Sequence, residues 1–341
     1  MNQDALASEI ERLVSEYGSN HDLDYVKDLI RTSLLLGTDQ TTTLDLKIAS
    51  SALREMREAF QMFQPHLHRR KVTIFGSART KPHDPLYNHT ENVARELALR
   101  GWMVVTGAGP GIMEAGMSGA GRNQSIGVSI RLPFESSANP IIAGDDKFVS
   151  MRYFFTRKLM LVKESHAFIC MPGGFGTLDE TFELLTLVQT GKSAPTPIVM
   201  LDLPGDDFWH SVDSLIREQM LKRSLVSPED LDLYRVCETI EDAVGEISEF
   251  YRNYHSIRFV GKYLVVRLTH APTDALIEQL NGEFSYLCKA GAFEIASATP
   301  SEISDNDNLD KFRIRFEFVR DDMGGLRRLI NRLNQAEITP Q

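Results

Sequence analysis

The residues best suited to chemistry lie in one glycine-rich stretch, Met171-Pro172-Gly173-Gly174-Phe175-Gly176-Thr177-Leu178-Asp179-Glu180. This stretch follows a short apolar run and leads into a segment with helical periodicity. Backbone N–H groups at the start of a helix, together with a hydroxyl, can bind a phosphate. Gly173, Gly174, Gly176 and Thr177 are therefore candidate phosphate-binding residues.

Glu180 comes just after this loop, and its position has two interpretations. A carboxylate beside a bound nucleotide can act as a general base or stabilise developing positive charge. The pattern from Thr177 to Glu180 is also that of a capping box, in which the glutamate would only satisfy an orphan backbone N–H. Glu183 could assist Glu180 or form a surface salt bridge. We favour Glu180 as the reactive carboxylate.

Two earlier loops also follow apolar runs and contain glycine. In the first, Gly76 lets the backbone approach a ligand and Ser77 offers a hydroxyl, although a plain tight turn fits equally well. The second contains Gly107, Gly109 and Gly111 in the spacing G-x-G-x-G, which differs from the G-x-G-x-x-G of dinucleotide-binding proteins. This spacing disfavours a nicotinamide cofactor. It fits either a helix N-terminus that binds an anion or close packing of a helix on a sheet.

Two cations interrupt an otherwise apolar segment. Arg157 and Lys158 lie among Phe154, Phe155 and Leu159. Such a pair could hold a phosphate and a ribose or stabilise a leaving group. Cations at the surface of an ordinary helix would have the same spacing.

The loops must be positioned by the elements around them, which the hydrophobic pattern predicts. Short apolar runs bounded by Gly and Pro indicate buried strands at 72–75, 103–106, 126–130, 167–171 and 198–201. Amphipathic stretches between them predict helices at 90–100, 112–122, 152–163 and 178–190. This alternation predicts an α/β fold, a Rossmann-like doubly wound parallel sheet with helices on both faces. Its ligands would bind at the carboxyl ends of the strands.

The two flanks of this α/β region have different patterns. Residues 1–68 read as a helical segment with a break near Gly37-Thr38-Asp39, and residues 69–255 form the α/β domain. Residues 256–341 predict a small α+β domain, ferredoxin-like in one interpretation, with strands at 263–268 and 312–318 and helices at 273–290 and 323–333. The polar stretch 301–310 predicts an exposed loop.

Composition excludes several classes of protein. With 37 basic and 47 acidic residues, the net charge of −10 argues against nucleic acid as a partner. The three dispersed cysteines indicate neither a disulfide framework nor a zinc site, and a metal is not expected. Without a signal-like start or a long apolar segment, we expect a cytoplasmic protein that does not bind membranes.

Taken in order, the loops at Gly76-Ser77-Ala78 and at 107–113, the Arg157-Lys158 pair and the Pro172–Glu180 element resemble the Lonely Guy (LOG) family, once labelled lysine decarboxylases. The resemblance covers roughly residues 70–255. It implies a Rossmann-like phosphoribohydrolase that cleaves the N-glycosidic bond of a purine nucleoside 5′-monophosphate, such as AMP or a cytokinin nucleotide. Free base and ribose 5-phosphate would be the products.

The resemblance also assigns roles to individual residues. It implies that Arg157 and Glu180 are catalytic, that no cofactor is needed and that the protein forms a homodimer or a higher homo-oligomer. The residues it implies for substrate binding are Gly76, Ser77, Gly107, Gly109, Gly111, Met113, Lys158, Gly173, Gly174, Gly176 and Thr177.

Two departures from the family pattern concern substrate recognition and backbone geometry. Plant-type members have M-H-x-R-K where this chain has Phe154-Phe155-Thr156-Arg157-Lys158, so the preferred base stays open. Ala108 replaces the middle glycine of a triplet, which costs little if its φ is negative.

A non-catalytic nucleotide sensor or molybdenum-cofactor carrier of the same fold is the alternative. The carboxylate of Glu180 favours the enzyme over this alternative, because a protein that only binds an anionic ligand would need no negative charge beside it.

Overall fold

The computed structural model describes residues 3–17, 22–132 and 138–336. It divides into two compact units, residues 1–60 and residues 61–341. Residues 1–2 and 18–21 of the predicted helical segment, and residues 337–341 of the predicted C-terminal domain, lie outside the described residues. The boundaries predicted at 68/69 and 255/256 stay predictions.

The first unit is helical. It contains α1 (Gln3–Tyr17), α2 (Leu23–Thr38) and most of α3 (Thr43–Phe63), which ends in the second unit. The predicted break near Gly37-Thr38-Asp39 is confirmed, because α2 ends at Thr38 and Asp39 caps it with a backbone bond to the Leu35 carbonyl.

The second unit is built on a seven-stranded parallel sheet. Its strands are β1 (Lys71–Phe75), β2 (Met103–Thr106), β3 (Ser125–Ile130), β4 (Phe148–Met151), β5 (Ala167–Cys170), β6 (Ile198–Leu201) and β7 (Arg235–Cys237). Their spatial order is β4-β3-β2-β1-β5-β6-β7. The helices of this part are α4 (Pro85–Leu99), α5 (Ile112–Ala120), α6 (Phe154–Lys163), α7 (Phe175–Gln189), α8 (Phe208–Leu215) and α9 (Ile240–Phe250).

The predicted α/β class is therefore confirmed, and the five predicted strands are present. Strands β1, β2, β5 and β6 are buried at every position, which is why their sequences read as continuous apolar runs. The edge strands β4 and β7 were not predicted. They are only partly buried and three or four residues long, so they lack an apolar run.

A second, antiparallel sheet follows in the same unit. Its elements are β8 (Tyr254–Val260), β9 (Tyr263–Leu268), α10 (Asp274–Glu283), β10 (Cys288–Ile295), α11 (Pro300–Ser304), β11 (Phe312–Phe318) and α12 (Met323–Gln335), with strand order β10-β11-β9-β8. If the single-turn α11 is left out and β8 is moved from the start of this chain order to its end, the order becomes the β-α-β-β-α-β of ferredoxin-like domains. The helix predicted at 273–290 is too long, because residues 288–290 belong to strand β10.

The exposed loop predicted at 301–310 is confirmed for residues 305–310, which form mostly exposed turns, and is wrong for residues 301–304. This stretch contains α11, and Glu302 is fully buried between two arginines. Its Oε1 lies 2.7 Å from Arg267 Nη2 and 3.2 Å from Arg313 Nε. Hydrogen bonds from these arginines and from Thr299 outweigh burial and hold the pKa of Glu302 at about 2. A buried ion cluster has a polar sequence, so polarity alone could not reveal it.

The two sheets of this unit are joined through α12. Asn334 Oδ1 accepts hydrogen bonds from the backbone N–H groups of Asn253 and Tyr254 at 2.9 and 2.8 Å. At the other end of α12, Gly324 packs directly on the carbonyl of Glu229. Among the described residues, no helix is long and apolar enough to cross a membrane.

Candidate active site

The candidate site lies where the strand order of the parallel sheet reverses. The chain continues from β1 to β2 on one side, whereas β5 pairs with the other side of β1, with Phe75 opposite Cys170. Doubly wound sheets bind ligands at the carboxyl ends of the strands at such a switch point. The loops after β1 and β5 therefore meet there.

These loops are fixed to one another by backbone hydrogen bonds. The Ser77 N–H donates to the Pro172 carbonyl at 3.3 Å, and the Ile112 N–H donates to the Ser77 carbonyl at 3.0 Å. Gly76 lies so close to Ile112 that a Cβ would meet its side chain at 2.8 Å or less. The loop after β1 is thus held between the starts of α5 and α7.

A cavity of about 690 Å³ opens at this point. Ten of the thirteen predicted site residues line it: Gly76, Ser77, Gly107, Met113, Arg157, Gly173, Gly174, Gly176, Thr177 and Glu180. The described residues that line it include two basic side chains, Arg79 and Arg157, and one acidic side chain, Glu180. Among the described residues, the cavity thus combines the glycine-rich loop at 173–177 with one carboxylate.

The start of α7 excludes the capping-box interpretation of Glu180. The helix begins at Phe175 with Gly174 as its N-cap, so Thr177 is already the third helical residue. Thr177 is buried with its hydroxyl against Gly173, where a side chain on the glycine would overlap it. Glu180 lies a full turn inside the helix, where it has no orphan N–H of the first turn to cap.

Arg157 is buried, and three neighbours set its position. Its Nε donates to the Val128 carbonyl at 3.2 Å, and Nη1 lies 3.8 Å from Glu180 Oε1. Gly107 lies directly against the guanidinium, in space that a Cβ would fill. Burial lowers the pKa of Arg157, and Glu180 partly offsets this. The surface-cation interpretation is therefore wrong for Arg157.

Glu180 combines burial with access to the cavity. Its side chain is 14% exposed. Burial raises the pKa of Glu180 to about 7, although the nearby charge of Arg157 lowers it. A carboxyl group with this pKa exchanges a proton easily near neutral pH, which is what a general base requires.

Ala108 adopts a conformation that the sequence did not predict. Its φ is +57°, in the left-handed region, whereas the low cost expected for alanine assumed a negative φ. Left-handed backbone costs a residue with a Cβ roughly 1–2 kcal/mol. The Thr106 hydroxyl accepts the Ala108 N–H at 3.0 Å and holds the turn in place.

Three predicted site residues are not among the described residues that line the cavity: Gly109, Gly111 and Lys158. Gly109 packs on the end of the Met113 side chain, and Gly111, at φ +69°, lies against the loop after β1. Lys158 Nζ lies 2.6 Å from both Asp179 Oδ2 and Glu183 Oε2 on α7. Of the two interpretations of Glu183, the structure shows the salt bridge.

Some lining residues were not predicted as site residues. Arg79 and the highly exposed Phe175 both line the cavity. Both belong to glycine-containing loops that the sequence singled out, so the loop positions were a signal for them. Ile74, Phe75, Ala78 and Leu178 also line it. Ala78 and Leu178 lie in the same two loops, whereas Ile74 and Phe75 belong to strand β1.

These features define a Rossmann-like α/β protein with its candidate site at the switch point of the sheet. A family model described as "Possible lysine decarboxylase" matches residues 111–247. The chain is 29% identical over 173 residues to cytokinin riboside 5′-monophosphate phosphoribohydrolase of Mycobacterium tuberculosis, covering 49% of this chain and 88% of that one. A rice (Oryza sativa subsp. japonica) protein named a "probable" enzyme of the same activity is 28% identical over 48% of this chain and 76% of its own length. The family model and these relatives support the resemblance to the Lonely Guy (LOG) family that the sequence motifs indicate.

Solved structures resemble the chain only loosely. The molybdenum cofactor carrier protein from Chlamydomonas reinhardtii is 18% identical with a TM-score of 0.38, covering 53% of this chain and 98% of that one. A similarity of this size carries no argument about ligand or activity.

Proposed function

We propose that the protein hydrolyses the N-glycosidic bond of a purine nucleoside 5′-monophosphate, AMP or a cytokinin riboside 5′-monophosphate, to free base and ribose 5-phosphate. The observation that carries the proposal is Glu180. It is a largely buried carboxyl group with a pKa near 7 that lines the cavity. The loop from Gly173 to Thr177 lines the same cavity and suits a phosphate. The names of the relatives support the same reaction.

Binding would place the 5′-phosphate at the start of α7. The loop from Gly173 to Thr177 offers backbone N–H groups of the first helical turn, which have no partner within the helix. The positive end of the helix dipole adds to the attraction for an anion. The buried Thr177 hydroxyl is a further donor at this end of the cavity.

The chemical step breaks the bond between C1′ and the base nitrogen. The electron pair of this bond leaves with the base, and positive charge develops on the sugar ring. The ionised Glu180 carboxylate stabilises this charge and accepts a proton from water as the water oxygen bonds to C1′. The departing base takes up a proton from solvent.

Arg157 has two tasks in this scheme. Its charge, 3.8 Å from Glu180, favours the ionised carboxylate that the reaction needs. It can also donate hydrogen bonds to the substrate through its Nη groups. In the described part of the chain its guanidinium donates one hydrogen bond to the backbone, from Nε. Its rigid position against Gly107 suits orientation of a bound sugar or base.

The test is to incubate the purified protein with AMP, with N6-isopentenyladenosine 5′-monophosphate and with other nucleoside monophosphates. Chromatography should show free base and ribose 5-phosphate in equal amounts. Binding of these nucleotides without any cleavage would contradict the proposal and favour the sensor alternative.

A further inference from the structure

We propose that Arg79 determines the specificity of this site for phosphorylated substrates by binding the 5′-phosphate. This inference rests on the proposed function and deepens it. In the described part of the chain, protein groups hold the guanidinium of one cavity-lining cation, Arg157, but not that of the other, Arg79.

The fixed cation is Arg157. It is buried, its Nε donates to the Val128 carbonyl, and its Nη1 lies 3.8 Å from Glu180 Oε1, so the Glu180 carboxylate already balances part of its charge. Lys158, the other cation of the pair, bridges Asp179 and Glu183 away from the cavity. Neither residue is a free counter-charge for a dianionic phosphate.

Arg79 is in the opposite situation. Its guanidinium makes no hydrogen bond or ion pair with any residue that the structure describes, and the residue is exposed. Its backbone is nevertheless fixed, because the Arg79 N–H donates to Ser77 Oγ at 3.1 Å. A free guanidinium on an anchored loop beside a cavity is well suited to bind a phosphate, which it can do with two parallel hydrogen bonds.

The position of this loop favours the phosphate over the base as the target. The loop abuts the start of α7: the Ser77 N–H bonds to the Pro172 carbonyl, and its nitrogen lies about 3.0 Å from where a Cβ on Gly173 would be. Arg157, Gly107 and Met113 form a separate group of neighbours. Arg79 therefore belongs to the phosphate-binding side of the site.

The experiment compares AMP with adenosine in the wild type, Arg79→Gln and Arg79→Lys. Arg79→Gln should lower kcat/KM for AMP about 10- to 100-fold, the loss expected for a hydrogen bond to a charged group. The kcat/KM for adenosine should not change, and Arg79→Lys should recover part of the loss with AMP. The inhibition constant of inorganic phosphate should rise in Arg79→Gln by a factor similar to that for AMP.

The matched control is Arg223→Gln. Arg223 is exposed, is not among the cavity-lining residues and has no ion pair in the described part of the chain. It changes the net charge by the same amount, so it should leave both substrates unaffected. Equal losses with AMP and adenosine in Arg79→Gln, or no loss with AMP, would overturn the assignment.

Binding separates this inference from the proposed function. If the wild type binds AMP but cleaves no monophosphate, the proposed hydrolase activity fails. The Kd values of AMP and adenosine, measured by calorimetry, then replace kcat/KM in the same comparison. A wild type that binds neither AMP nor phosphate would overturn both.

Discussion

At the scale of single residues, the proposed reaction depends on the protonation state of Glu180. Burial raises its pKa to about 7, above the ordinary value of 4.5. A general base must be ionised, so activity should be lost as the pH falls through the folded-state pKa. We expect the kcat/KM of the wild type to rise with pH with a midpoint near 7, measured between pH 5 and pH 9.

Arg157 supplies the matched variant for this pH profile. Its charge lowers the pKa of Glu180, so Arg157→Gln should move the midpoint to higher pH. Arg157→Lys, which keeps the charge, should move it less. A midpoint near 4.5 in the wild type, or no shift in Arg157→Gln, would contradict the electrostatic coupling of the two residues.

Gly107 should be required for activity because of the space it leaves. A methyl group there would overlap the Arg157 guanidinium and lie 2.7 Å from Met113 Sδ. Gly107→Ala should displace Arg157 and lower kcat about 100-fold, since small misplacements in an active site can cost that much. Gly245→Ala in α9, where nothing lies within 4 Å, is the control and should keep full activity. Equal activity of the two variants would show that Arg157 does not need this space.

At the scale of elements, Lys158 links two helices, and we expect that it does not contact the substrate. It lies on α6 and forms ion pairs with Asp179 and Glu183 of α7. Their hydrogen bonds outweigh the effect of burial and raise the pKa of Lys158. Partly exposed ion pairs contribute little, so Lys158→Ala should lower the free energy of unfolding by about 1 kcal/mol or less.

Kinetics distinguishes this role from the substrate-binding role that the family resemblance implies. Lys158→Ala should leave KM for AMP unchanged, as should the exposed control Lys289→Ala. A rise in KM for AMP in Lys158→Ala but not in Lys289→Ala would instead support the substrate-binding role that the resemblance implies.

The sequence predicted the elements that carry the site better than it predicted their ends. Strands β2 and β6 were predicted to the residue, because central parallel strands are apolar on both faces. The start of α7 was placed at Leu178, although the helix begins at Phe175. Glycines rarely favour a helix, so the pattern could not show that this loop already belongs to one.

The limits of prediction in the site have similar physical causes. The family resemblance implied that Arg157 and Glu180 act in one site, and both line the same cavity. The left-handed φ of Ala108 and the turning of Lys158 away from the cavity depend on tertiary contacts. Such contacts join residues far apart in sequence and leave no local pattern.

At the scale of the whole molecule, α12 joins the antiparallel sheet to the parallel sheet within the second unit. A Cβ on Gly324 would overlap the backbone carbonyl of Glu229, which cannot move as a side-chain end could. Gly324→Ala should therefore lower the free energy of unfolding by about 1–3 kcal/mol, the usual cost of overpacking. Urea denaturation measures this change.

The control for this contact is Gly282→Ala in α10, which has nothing within 4 Å. It should be neutral or stabilising, because alanine favours a helix more than glycine does. If Gly324→Ala is as stable as Gly282→Ala, the close packing of α12 on the Glu229 carbonyl does not hold.

The most direct test of the central claim compares Glu180→Gln with Glu183→Gln in the cleavage of AMP. Both carboxylates lie on α7 three residues apart, but only Glu180 lines the cavity, whereas Glu183 pairs with Lys158. Glu180→Gln should stay folded and lose about 10²- to 10⁴-fold in kcat, the usual contribution of a general base. Glu183→Gln should cleave AMP at the wild-type rate. A folded Glu180→Gln variant with full activity would contradict the claim that this carboxylate carries the reaction.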